Sequence, residues 1–381
     1  MSAFRNIIRF LSLPFCMTSI QNNILNLLEE DKKRGKKSAF IVTPDLSASG
    51  APRALLEFCR VLIDNNISCY VFYNKYPQLD SEFRNAGITP FYIPSCYFLR
   101  KLESRLIQRF DFAVCNTLYA WRYVDIIEIH HVDYIWWIHE GSIGRKAKAA
   151  LPNLQKNGYI YTVSQLAEKQ LQPDIICTDI LPPLQPDRLN LIKTKASNAK
   201  FTISVIGAID HRKAQDIVVQ AFEKLAPEIQ KRCRIKFIGH ANQFRKYVQS
   251  FFQSIKKHPE LIFCGAMDSE KTLQEIADSD LCLVPSRLES FSLVALESLM
   301  CNVPVLISDN TGIASYITPC QEGWVFPSEN SDALANYLTQ IIQGEIQTPA
   351  GKPRALYETK LQLPIFVKKV EDILQKIKRK Q

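Results

Sequence analysis

Two glutamates bracket the run Glu289-Ser-Phe-Ser-Leu-Val-Ala-Leu-Glu297. An apolar stretch, Leu281–Val284, reads as a strand that ends just before them, and Pro285-Ser-Arg-Leu-Glu289 reads as the loop that follows. An apolar helix is expected to begin near Phe291 or Ser292. A helix start presents unpaired backbone N–H groups and the positive end of a dipole, which suits a phosphate held by Ser290, Phe291, Ser292 and Leu293. Helical side chains point back toward the N-terminus, so Glu297 is turned toward that end. The span between the glutamates is about 12 Å at helical rise, comparable to the reach from a sugar across a diphosphate to a ribose. Carboxylates flanking an anion site serve best as acceptors for sugar hydroxyls. The residue types alone leave open a solvated Glu289 and a surface Glu297.

A second group is cationic. Gly207-Ala-Ile-Asp-His-Arg212-Lys213 follows an apolar strand and opens a helix. Arginine offers phosphate oxygens a bidentate fork and lysine a compact charge, so the pair is able to neutralise a diphosphate leaving group without a metal ion. A solvated Arg-Lys loop is the other reading. In the first half, Gly50 lies in the small-residue loop after the first strand, and His139 closes the apolar run Trp136-Trp137-Ile138. A histidine there is either a sugar-facing group or a satisfied structural one. The two tryptophans alternate across the strand, so at most one lines a ligand site and the other is core.

The elements needed to place these residues alternate in type. Strands are expected at 38–43, Ile67–Tyr73, Ile88–Ile93, Phe112–Cys115, Tyr134–Ile138 and Tyr159–Val163, separated by helical or turn-rich stretches. The pattern lapses over the proline- and lysine-rich residues 181–200, then restarts with Phe201–Ile206, Arg234–Ile238, Leu261–Phe263, Leu281–Val284 and Val303–Ile307. Trp324–Phe326 reads as an edge strand. Such alternation specifies parallel sheets, giving an α/β chain of two Rossmann-like, doubly wound domains facing across a cleft. The expected organisation is a helical, basic segment over 1–37, a first Rossmann-like domain over 38–185, a linker over 186–200 and a second Rossmann-like domain over 201–348, to which the family resemblance given below assigns the acceptor and the nucleotide sugar respectively. A terminal helix within 349–381 is expected to pack back toward the first domain.

Composition closes off other classes. The 381 residues are 46% hydrophobic, enough for two cores. Eleven cysteines are scattered singly without a CxxC pair, which fits buried thiols in a reducing cytosol better than a disulfide framework. The six histidines show no ligand spacing; His139-Glu140 begins an HExxH pattern, but Ile143 stands where the second histidine would be. No metal and no cofactor are expected. No run approaches the roughly 20 apolar residues of a membrane span. The net charge of +9 includes Lys32-Lys33-Arg34-Gly35-Lys36-Lys37, read as solvated surface or as attraction to an anionic membrane. Without interleaved aromatics, nucleic acid is not an expected partner.

On these residues the chain resembles the retaining glycosyltransferases of the GT-B fold, in the large family 4 group of glycosyl transferases. Glu289 to Glu297 is similar to that family's Glu-x7-Glu motif, and Val303-Pro-Val-Leu-Ile-Ser-Asp309 to its next strand; the resemblance covers most of residues 200–345. It departs at Ser290-Phe291-Ser292, where the family usually has Gly-Phe-Gly, and at Ser315, where a glutamate is common. The resemblance implies a nucleoside diphosphate sugar as donor substrate, Glu289 by the donor sugar and Glu297 on the ribose. It implies donor-phosphate contacts by Arg212, Lys213 and the glycine turns at Gly50 and Gly207. His139 would lie near the sugar, and attack would come from the front face. The acceptor implied is a glycan or lipid-linked glycan of cell-surface polysaccharide synthesis, assembled in the cytoplasm or at the inner membrane face. A nucleotide-sugar epimerase of the same fold and a non-catalytic partner subunit are the alternatives. A phosphorylase would need a longer chain with a cofactor lysine, and a nicotinamide enzyme a GxGxxG after a first strand, which is lacking.

Overall fold

The computed structural model describes residues 19–93, 106–144, 148–149, 158–193 and 200–378. They form two compact units. The first takes the described residues up to Thr162, then Leu171–Leu181, then those from Val367 onward. The second takes Val163–Gln170 and Pro182–Phe366. The described residues of the stretch read as a linker, 186–193 and 200, therefore lie inside the second unit. Of the basic N-terminal segment, residues 19–33 are helical, and 1–18 lie outside the described residues.

The first unit carries a seven-stranded, wholly parallel sheet in the order β3-β2-β1-β4-β5-β6-β7. Its strands are β1 (Lys37–Val42), β2 (Ile67–Tyr73), β3 (Thr89–Tyr92), β4 (Phe112–Asn116), β5 (Tyr134–Ile138), β6 (Gly158–Thr162) and β7 (Asp179–Ile180). Near-continuous apolar runs such as Phe40-Ile41-Val42 are buried on both faces, as a parallel sheet covered by helices on each side requires. Helix α1 (Gly50–Asp64) buries Leu55, Phe58, Cys59 and Leu62 on one stripe, and α2 (Trp121–Ile129) buries Val124 and Ile127. Trp136 and Trp137 are both fully buried, so neither lines a ligand surface. Their indole N–H groups donate to the carbonyls of Thr117 and Leu181, at 2.8 and 2.9 Å. A tryptophan that satisfies its one donor inside the sheet has no need of an exposed face.

The second unit repeats the plan with six parallel strands in the order β10-β9-β8-β11-β12-β13. They are β8 (Phe201–Ile206), β9 (Cys233–Ile238), β10 (Leu261–Gly265), β11 (Leu281–Val284), β12 (Val305–Ser308) and β13 (Gly323–Phe326). Helices α3 (Gln215–Glu223), α4 (Leu293–Met300) and α5 (Ser331–Gln343) cover it. The last helix, α6 (Leu363–Lys378), returns the chain to the first unit. There Lys369 Nζ donates to the Ile180 carbonyl at 2.9 Å and Tyr159 donates to the Lys376 carbonyl at 3.1 Å. The nine cysteines among the described residues are free thiols.

Both sheets reverse their strand order at one point, between β1 and β4 and between β8 and β11. Ligands of open parallel sheets bind outside the carboxyl ends of the strands at such switch points. In the second sheet the strand-end glycines make close backbone contact possible. Gly239 has φ +155°, and a Cβ there would sit 2.1 Å from the Gly207 carbonyl oxygen. Neither backbone has room to yield. Gly239→Ala is therefore expected to destabilise the protein by about 3 kcal/mol or more. Gly351→Ala, at φ +80° with open space around it, is expected to cost only about 1 kcal/mol. Urea unfolding of the two variants compares them directly, and equal losses would show that Gly239 is not under steric constraint.

Candidate functional site

The loops that leave β8 and β11 meet at the second switch point. Gly207 has φ +146°, and a Cβ on it would press on the Lys213 side chain at 3.3 Å, so glycine keeps the lysine stem against the strand end. Asp210 then accepts from the Lys213 N–H at 2.9 Å and shapes a single 3-10 turn over His211–Lys213. From the other loop, the Arg287 N–H donates to the Arg212 carbonyl at 2.8 Å. The Glu289 N–H donates to the Asn310 carbonyl at 3.0 Å, and the Gly312 N–H donates back to the Glu289 carbonyl at 2.8 Å. Three loops, after β8, β11 and β12, are thus laced by backbone bonds around Glu289.

The side chains complete the lacing. Lys213 Nζ lies 2.8 and 2.6 Å from the two Glu289 oxygens, and the Ser286 hydroxyl donates to the carboxylate at 2.7 Å. Both partners are largely buried, at 14% and 13% side-chain exposure. Burial works to raise the Glu289 carboxyl, but Lys213, Ser286 and Arg212 outweigh it and hold it below the usual carboxylate range. Lys213 is consequently committed to Glu289. Arg212 is the exposed cation, with one guanidinium nitrogen donating to the Leu288 carbonyl at 3.3 Å. The expected pair of equivalent cations thus divides into an anchored lysine and an open arginine.

Ser290, Phe291, Ser292 and Leu293 form the turn into α4. Ser292 sits at φ +102°, a region that favours glycine, and this is one of the two places where the resembled motif has glycine. The serine recovers part of that strain, because its hydroxyl accepts from the Ala295 N–H at 3.3 Å and caps the helix. Phe291 is buried, and its carbonyl accepts from the Ile313 N–H at 3.0 Å. The Ser290 carbonyl accepts from the Ser164 hydroxyl at 2.5 Å, while Ser315 donates to the Gly312 carbonyl at 3.2 Å. Glu297 is not left to solvent: Arg188 donates to it at 2.5 Å and to the Ser269 hydroxyl at 2.6 Å.

Sequence reasoning overlooked several of these partners. Arg188 was hidden in a stretch whose prolines suggest a linker. Arg287 lies in the loop two residues before Glu289, yet nothing in its spacing distinguishes it. It donates to both Asp216 oxygens at 3.0 and 2.7 Å, to Glu329 at 2.8 Å and to the His211 carbonyl at 2.7 Å. Burial acts to raise Asp216, but Arg287 and the Tyr247 hydroxyl outweigh it and lower the carboxyl. Ser164 comes from sequence read as the first domain, and only the tertiary path carries it to Ser290.

His139 and Gly50 belong to the first unit. Gly50 is the exposed first residue of α1 and adopts no positive φ, so its backbone does not require a glycine. His139 packs its ring 4.5 Å from that of Trp137, and its Nε2 is shut from solvent without a hydrogen-bond partner. Burial lowers its pKa to about 3, so the imidazole is neutral at physiological pH. Among the described residues, no cluster of three or more His, Cys, Asp or Glu side chains could hold a metal ion. No helix among them is long and apolar enough to cross a membrane.

Two parallel α/β units of this topology define the fold of the GT-B glycosyltransferases. HepE of Anabaena, solved with UDP and glucose, superposes with a TM-score of 0.76 over 89% of this chain and 100% of its own, at 16% identity. Sucrose-phosphate synthase from Thermosynechococcus elongatus gives 0.71 over 91% of this chain, also at 16% identity. Residues 188–358 match the family model described as glycosyl transferases group 1, and this stretch holds Arg188, Arg212, Lys213 and both glutamates. N-acetyl-alpha-D-glucosaminyl L-malate synthase of Bacillus anthracis is 29% identical over 150 residues, which is 39% of this chain and 38% of the synthase. The amylovoran biosynthesis glycosyltransferase AmsK of Erwinia amylovora is 22% identical over 51% of this chain and 49% of its own. Such alignments span about half or less of each relative's length.

Two outcomes test this geometry. Ser292→Gly relieves about 1–3 kcal/mol of backbone strain while losing only a few tenths from the cap, so the variant is expected to unfold at higher urea than the parent. A lower midpoint would show that the serine conformation is unstrained. The second concerns Glu289, whose folded pKa is lowered. It therefore stabilises the fold above its unfolded value of about 4.3, and that contribution is lost as pH falls through the folded value. Glu289→Gln is expected to cost about 3 kcal/mol at pH 7, and the gap should close as pH drops below about 4. A gap independent of pH would remove the ion pair from the account.

Proposed function

We propose that the protein is a retaining glycosyltransferase that moves a hexosyl group from a nucleoside diphosphate sugar to a glycan or lipid-linked acceptor. The observation that carries the reading is the Lys213–Glu289 pair locked at the β8/β11 switch point, with exposed Arg212 beside it and Glu297 along α4. The match of residues 188–358 to glycosyl transferases group 1 and the likeness to HepE, solved with UDP and glucose, support it.

In this reading the donor diphosphate lies against the start of α4 and the turn at Ser290–Leu293. Arg212 supplies positive charge where the leaving diphosphate gains negative charge, which is the strongest effect such a site can offer. Glu289, held in one orientation by Lys213 and Ser286, takes hydroxyls of the donor sugar. Glu297, oriented by Arg188, takes the ribose hydroxyls. The bond from the anomeric carbon to the leaving phosphate breaks as the bond to the acceptor oxygen forms on the same face. The departing phosphate oxygen takes the acceptor proton, so no side chain serves as covalent nucleophile. The reading invokes no resident cofactor and no metal ion. AmsK's part in amylovoran biosynthesis supports a place in polysaccharide assembly, and the lysine-rich turn that ends the 19–33 helix supports contact with an anionic membrane face.

A thermal-shift screen against UDP-, GDP-, ADP- and CDP-sugars tests the proposal. At least one is expected to raise the Tm by several degrees at saturating concentration. Arg212→Ala, a substitution at an exposed side chain, should reduce that shift without altering the Tm of the free protein. If none of the four raises the Tm, or if the arginine variant keeps the full shift, the donor site is misassigned.

A further inference from the structure

Three consecutive residues of the loop after β11 hold three consecutive residues of the loop after β8. Arg287 holds the backbone at His211 and Arg212, the Leu288 carbonyl receives the Arg212 guanidinium, and the Glu289 carboxylate receives the Lys213 ammonium. The last two contacts act on side chains. Of the three residues, only Arg287 acts on the backbone from which Arg212 projects.

The turn that carries Arg212 has little internal support. His211–Lys213 is one turn of 3-10 helix, closed by Asp210 and followed by Ala214 in the left-handed region at φ +56°. Hydrogen-bond geometry in such short turns is poor, so the turn does not fix its own direction. Arg287 supplies what is missing. Its backbone N–H donates to the Arg212 carbonyl at 2.8 Å, and its Nη1 donates to the His211 carbonyl at 2.7 Å. Two adjacent carbonyls of the turn are thus pinned by one residue.

The guanidinium is itself braced. Nη1 and Nη2 fork onto the Asp216 carboxylate in the first turn of α3, at 3.0 and 2.7 Å, and Nε donates to Glu329 at 2.8 Å. Asp216 is held in turn, since the Tyr247 hydroxyl donates to it at 2.8 Å and accepts from its N–H at 3.1 Å. The Tyr247 ring also lies edge-on to that of His211, with centroids 5.9 Å apart. Arg287 has 15% of its side chain exposed and every nitrogen engaged. Two carboxylates beside it would moreover repel a phosphate. A lysine cannot replace it, because an ammonium is a single point and these acceptors surround a planar fork.

We infer that Arg287 is a positioning residue of the donor site, fixing the turn so that Arg212 meets the diphosphate at one place. Resting on the proposed sugar transfer, this role has Arg287 act on the nucleotide only through Arg212. A charge that must be in place before the leaving group departs loses much of its effect when displaced by about 1 Å.

The test uses the full chain, with UDP, GDP, ADP and CDP as probes and calorimetry as the readout. Arg287→Lys keeps the charge and loses the fork, while Asp216→Asn keeps the shape and releases the fork from the other side. Both are expected to fold and to melt cooperatively. Each should weaken the tightest-binding of the four nucleotides about ten-fold. Arg212→Ala should weaken it about thirty-fold, and adding Arg287→Lys to that variant should change nothing further. A residue that merely supports the fold would instead give losses that multiply. Amide hydrogen exchange over residues 207–216 of the free protein should quicken in both fork variants. Unchanged exchange, parent affinity in both variants, or multiplying losses would each overturn the inference. Faster exchange in a protein that binds none of the four would sink the transfer reading and leave the clasp standing; nucleotide binding untouched by either variant would sink the clasp alone.

Discussion

The second unit is organised around one buried ion pair. Lys213 and Glu289 belong to loops that leave different strands, and each would be costly to bury alone, because an unpaired charge in a low-dielectric interior is penalised by several kcal/mol. Joined at 2.6 and 2.8 Å, they require the β8 and β11 loops to keep a fixed separation. The surrounding bonds then have one solution. Ser286 reaches the carboxylate, Arg287 clasps the Arg212 carbonyl and Asp216, and Glu289 exchanges backbone bonds with the loop after β12. The glycine at 207 is part of the same constraint, since a side chain there would displace the lysine stem.

Each switch point is equipped differently, although the two sheets share one topology. The second is a lattice of charge and backbone bonds, nearly every group answered by another. The first is a pocket with polar atoms left unanswered.

Much of the architecture was legible in the sequence because parallel strands are long apolar runs and the helices between them keep a 3.6-residue period. The helix Leu293–Met300 begins just after Ser292, where the apolar run places it. The two-residue strand Asp179–Ile180 did not announce itself, being too short for a pattern. In the site, Glu289, Arg212 and Lys213 were legible from strand-loop-helix context, but their pairing was not. That Lys213 turns inward and Arg212 outward depends on the left-handed Ala214 and the turn before it. Arg188 and Ser164 escaped because their partners lie 109 and 126 residues away in sequence. Such contacts arise only from the fold. Trp136 and Trp137 lie within the reading that at most one faces a ligand site: alternation assigns their faces, and in a sheet covered on both sides both rings are buried.

The split between the two basic residues has a consequence for the protein's response to its ionic surroundings. Dissolved ions screen charge over a Debye length of about 8 Å at physiological strength, but they act on what solvent can reach. Arg212 stands in that solvent, so the long-range attraction it exerts on a polyanion rises and falls with salt. Lys213 and Glu289 are withdrawn from it, and their mutual hold is scarcely altered. The outward-facing charge and the framework are therefore separate: a change of electrolyte can retune the first and leave the second as it was.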